Sequence, residues 1–185
     1  MGACRGPVAT APPPPTTDSV VLSIDDVRRI SGVNALERTV DTNRPKPDNN
    51  AVPACRALSD QGVAFGDQWT EFHSTSDNGN LDVRGVPGLM AVAGQVVAIY
   101  PNEEAAREAF DRRIAAVEEC VKLHIPFYDP AVSRPADDTA VFSGDGWSSA
   151  TIVKSAVVID AGVVALPDAE RVASELAQAM ADRIP

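Results

Sequence analysis

Two histidines and three cysteines leave this chain very little with which to hold a metal. A structural zinc site takes four such ligands, usually with a Cys-x-x-Cys pair among them, and no such pair occurs, so no metal is expected. Lysine is almost as scarce, at 3 against 13 arginines, and the net charge is -10. Phosphate backbones are bound by clustered Lys and Arg, so nucleic acid is not an expected partner. No run of 18 apolar residues exists, so no segment reads as a membrane-spanning helix. Gly-x-Ser-x-Gly and His-Glu-x-x-His are both missing, and Gly144-Asp145-Gly146 lacks the third glycine of a dinucleotide loop. The chain therefore reads as non-enzymatic and free of cofactors. Aromatics make up only 5% of it, but its hydrophobic fraction is 44%, enough for about 170 residues to form one ordinary domain.

The opening is unlike the rest. Gly2-Ala3-Cys4 matches the small-residue ending that precedes a lipidated cysteine in bacterial lipoprotein signals. The basic and apolar stretches that normally come first are not present, which implies trimming just upstream or a start assigned too late. Four consecutive prolines, 12–15, follow. Proline fixes φ and donates no backbone hydrogen bond, so this segment reads as an extended, semi-rigid spacer. Residues 1–18 are thus a lipidation-site-like N-terminus and tether, with Cys4 as the candidate membrane anchor. A free cysteine in a disordered tail is the plainer reading. Myristoylation is disfavoured, because Gly6 occupies the place where Ser or Thr is wanted.

Residues 19–185 form the folded part. Ser23 and Gly32 bracket a helix over Leu22–Val33. Asn34–Pro53 is polar with three prolines and reads as a loop. Ala54–Ser59 reads as a short helix and Val63–Ser74 as a strand with Trp69 and His73 on one face. Asp77-Asn78-Gly79 reads as a hairpin turn, with Leu81–Val86 its return strand. Ala91–Tyr100 reads as a strand interrupted at Gly94. Asn102 caps a long helix, Glu103–His124, whose buried stripe is Ala106, Phe110, Ile114, Val117 and Val121. Pro126–Asp138 reads as loop. Thr139–Ser143, Trp147–Lys154 and Ala156–Leu166 read as strands, and Pro167–Arg183 as the last helix. Hairpin-length links dominate, which gives the class α+β: an antiparallel sheet packed by helices.

These elements carry an ordered set of residues: Pro53-Ala-Cys55-Arg-Ala-Leu58, an aromatic-rich strand around Trp69 and Phe72, Gln95-Val-Val-Ala-Ile-Tyr-Pro101, a long helix ending in Cys120, then Trp147 and a closing Ala/Ile/Arg helix. The set resembles the PknH-type extracellular sensor domain, found on mycobacterial receptor kinases and, alone, on envelope lipoproteins. The resemblance implies a single domain with a twisted antiparallel sheet and a cleft for an unidentified extracellular ligand. It implies that Cys55 and Cys120 form the family's first disulfide. That bridge would close a loop of about 65 residues, worth roughly 4 kcal/mol in the chain-entropy model. The second bridge of many relatives has no counterpart, because no cysteine follows Cys120. No kinase signature is present.

His73, with Ser74, Ser76 and Asp77, is the one place where base, hydroxyl and carboxylate crowd together. Triads are assembled in space rather than in sequence, so a solvated strand end explains these residues as well as catalysis does. His124 reads as a helix-end residue, and Asp137-Asp138 as a solvated pair. Trp69 and Trp147 read as sheet-packing residues. The candidate pocket lining is Trp69, His73, Tyr100 and Trp147. The expected function is that of a lipid-anchored, extracytoplasmic sensor or binding domain of the cell envelope. Its ligand would be a small molecule, lipid or glycan. The alternatives are a module that docks another envelope protein through its acidic surface and, third, an envelope hydrolase.

Overall fold

The computed structural model describes residues 13–83 and 86–185. Cys4 lies outside them. Seven strands form one sheet: β1 (Glu37–Thr42), β2 (Glu71–Val83), β3 (Val86–Ile99), β4 (Ala131–Ala136), β5 (Thr139–Gly144), β6 (Trp147–Lys154) and β7 (Val157–Val164). Their order is β1-β2-β3-β7-β6-β5-β4, and every neighbouring pair is antiparallel. The helices are α1 (Thr17–Val20), α2 (Ile24–Ser31), α3 (Gln61–Phe65), α4 (Glu103–Val121) and α5 (Ala169–Ala181), with a 3-10 helix at Pro53–Leu58. This is the expected α+β domain.

Alternation along the strands divides the apolar residues between two faces, and helices close both. On the first face, Ala93, Val97, Ile159 and Ala161 pack with Val20, Leu22 and Val27 from the α1–α2 segment and with Val172, Leu176 and Met180 of α5. On the second, Phe72, Ala98, Phe142 and Val158 pack with Phe110, Ile114 and Val117 of α4 and with Phe65 of α3. The N-terminal segment is stitched down by polar groups too. The buried Gln95 amide accepts from Leu22 N at 2.8 Å and donates to Leu22 O at 3.3 Å. Arg183 donates to Val21 O.

Local chemistry explains where helices stop and start. Ser23 caps α2, and Gly32 ends it at φ 72°. Asn102 caps α4 through Ala105 N. Three expectations are corrected. Residues 63–65, expected to open a strand, belong instead to helix α3, because Asp60 accepts from Val63 N and Gly66 ends the turn at φ 68°. Asp77-Asn78-Gly79 is no turn: all three lie inside β2, paired with Ala93, Val92 and Ala91. Asp77 is there to take both nitrogens of the Arg38 fork, at 2.8 and 3.1 Å, while fully buried. Gly79 lets another stretch of backbone approach, since a Cβ would lie 2.5 Å from Ala35 O. Finally, the stretches read as loops hold the two edge strands, β1 and β4.

Candidate functional site

The disulfide joins Cys55 of the 3-10 helix to Cys120 of α4, with Cα atoms 4.9 Å apart. It fixes two segments beside each other: the end of the 3-10 helix, with Leu58 and Ser59, and the chain leaving α4, with Phe127 and Tyr128. The bridged Cys120 sulfur also lies 3.4 Å from Tyr128 O, in van der Waals contact. These segments wall a cleft of about 560 Å³ over the second face of β6 and β7.

The floor of the cleft follows from strand register. Trp147 pairs with Val164, Ser149 with Gly162 and Thr151 with Asp160. Moving inward, the floor runs from an aromatic–aliphatic pair, through a serine and a glycine, to a carboxylate beneath α4. Trp147 can lie flat at the outer end because residue 144, opposite it across the β5–β6 hairpin, is glycine. A Cβ there would run into the indole ring.

The inner end is a buried charge pair. Arg113 of α4 approaches Asp160 Oδ1 at 2.8 Å, with side chains 3% and 13% exposed. Its guanidinium lies between Phe65 and Phe142, 5.2 and 5.7 Å from the ring centres. Such stacking suits arginine, whose planar charge is weakly hydrated. Its Nε and Nη1 make no hydrogen bond among the described residues, so the approach to Asp160 is a charge contact. Ser149 Oγ and Thr151 Oγ1 both donate to the same Oδ1 at 2.7 Å. Asp160 Oδ2 takes no hydrogen bond from the described residues, and Asp160 lines the cleft.

Of the four residues singled out in the sequence, Trp147 alone lies in this cleft. Trp69 precedes β2, so strand alternation does not reach it. Its ring packs on Phe72 at 5.3 Å on the second face, and its Nε1 donates to Gly66 O. His73 lies on the first face, where Nδ1 is 2.9 Å from Asp18 and Nε2 2.8 Å from Asp41. Its two ring nitrogens thus bridge a carboxylate on α1 and one on β1. The neighbouring Ser74 hydroxyl is held by Gln61, and among the described residues the partners of both imidazole nitrogens are carboxylates. Tyr100 is a core residue whose hydroxyl donates to Phe65 O at 2.7 Å; burial pushes its pKa up to about 12. No group of three or more potential metal ligands occurs among the described residues.

Sequence reasoning passed over Asp160, Arg113, Phe127 and Tyr128. Asp160 had a signal, as the lone acid in Val157–Val164. Arg113 had one too, because 106, 110, 113 and 117 share one helix face.

The family model of the PknH-like extracellular domain matches residues 12–183. Among solved structures, the extracellular domain of PknH from Mycobacterium tuberculosis superposes with a TM-score of 0.65 at 13% identity. The match covers 90% of this chain and 93% of that one. At that identity the likeness is one of fold. No curated protein matches by sequence.

Proposed function

The chain belongs to the PknH-like extracellular domain family, and from that premise we propose that it is a non-catalytic, extracytoplasmic binding domain whose ligand occupies the β6–β7 cleft. The observation that carries this reading is the cleft itself. Its volume suits a small molecule, its lining is mostly apolar, and a carboxylate sits at one end. Lipidation at Cys4 would hold the domain at a membrane surface, with two or more acyl chains giving stable attachment. No helix among the described residues is long and apolar enough to cross a membrane.

A thermal-shift screen against envelope lipids, glycans and small metabolites tests the binding role. Ligands that raise the melting temperature should lose that effect in Gly144→Leu, where the larger side chain drives the indole of Trp147 from its seat. Hits that stabilise this variant equally bind elsewhere, and that result would sink the reading. A second reading, protein docking, is favoured by one observation: Leu123 and Phe127 are both exposed on the segment that walls the cleft. A partner captured by the native domain and lost on Phe127→Ser, with no small ligand found, would support it.

A further inference from the structure

We infer that the cleft selects an uncharged, hydroxyl-bearing amphiphile and turns away anionic ones; the inference rests on the cleft being the binding site. Three observations carry it. The first is the order of groups along the floor. Trp147 and Val164 form the outer end, and Asp160 the inner end, four cross-strand pairs along. An occupant that matches this order is apolar at one end and a hydrogen-bond donor at the other. Asp160 Oδ2 is the acceptor that meets it, because Ser149, Thr151 and Arg113 all engage Oδ1.

The second is charge. Among the described residues no lysine or arginine lines the cleft; its charged groups are Asp145 at the mouth and Asp160 inside. The Arg113 guanidinium is enclosed by two phenyl rings and Asp160 and does not line the cleft. A phosphate or carboxylate head would face a carboxylate with no cation to answer it, inside a chain of net charge -10. Sugar-like hydroxyls suit such a site, since an aromatic face takes C–H surface and a carboxylate takes O–H donors.

The third is Phe127. It is 93% exposed, and its backbone sits at φ 70°, a region that bulky side chains rarely adopt. The disulfide-fastened wall thus holds a large apolar ring out over the mouth, almost uncovered by the described residues. An alkyl or ring body lying between Phe127 and Trp147 would cover it.

The test uses octyl glucoside and octyl phosphate, both below their micellar concentrations. Trp69→Phe leaves Trp147 as the sole tryptophan and so as a reporter inside the cleft. Octyl glucoside is expected to give a saturable change in Trp147 emission, with octyl phosphate binding at least tenfold more weakly. Gly162→Lys, where an added Cβ meets nothing nearer than the Ser149 Cβ at 4.0 Å, puts a cation one same-face position from Asp160 and should bring the two within about threefold. Equal or tighter binding of octyl phosphate to the parent protein overturns the selection but leaves the cleft as a binding site. No Trp147 response to either amphiphile removes both claims.

Discussion

Tyr100 shows how one buried hydroxyl becomes a measurable property. Its side chain is 2% exposed, and its single polar atom is spent on Phe65 O. Ionisation would place a phenolate in that apolar setting, which is why its pKa stands at about 12, above the ordinary value of 10. A raised folded-state pKa means that the unfolded chain loses its proton first. The Tyr100 contribution to stability is therefore intact below about pH 10 and falls between about 10 and 12. Denaturant midpoints measured across that window should decline more steeply for the native chain than for Tyr100→Phe. Parallel declines would refute the assignment. Tyr100 was singled out for a pocket because it ends a strand beside a proline. What a sequence cannot display is that the 65-position lies across from it, with a carbonyl waiting. The reverse holds for Asp160. An acid amid valines announces a special role, and only the register of β6 against β7 shows what that role is.

At the scale of elements, legibility followed burial. Strands β5, β6, β7 and the 91–99 part of β3 are buried on both faces or nearly so, which makes their apolar runs readable. The edge strands β1 and β4 have exposed or half-buried side chains throughout, so they carry no apolar pattern. Arg134 and Pro135 in β4 are the residues that blunt an edge against further pairing, and they are also what makes it read as loop. The long β2–β3 hairpin was misread for a related reason. Asn-Gly signals a turn when nothing else demands the glycine, but here the Ala35 backbone does. The cleft wall is likewise an element-level construction, built from two segments 65 residues apart and joined by one bond. Replacing Cys55 and Cys120 by alanine should cost about 4 kcal/mol by loss of the loop constraint. It should also loosen 122–130 more than the sheet. Amide exchange read segment by segment checks this: equal deprotection of wall and sheet would show that the bridge has no local role.

For the molecule as a whole, the sheet is sealed on its first face only with the help of the N-terminal segment. Thr17 is the first buried side chain among the described residues, and Val20, Val21 and Leu22 are core. Burying each of these aliphatic side chains contributes about 1.5–3 kcal/mol. A chain shortened to begin at Ser23 should lose about 5 kcal/mol, roughly the whole margin of an ordinary domain. Circular dichroism and urea titration should find it unfolded or nearly so. Unchanged stability would mean that the segment is an appendage.

The same segment also sets a direction. Pro13, Pro14 and Pro15 line one hollow together with Ile99, Val157, Ile184 and Pro185. That is the end of β7 opposite Val164, about 23 Å away at the rise of a strand. A leash attached there and drawn toward a surface stands the domain on that end. Were Cys4 lipidated as proposed, the Trp147–Val164 mouth would look outward, away from the membrane.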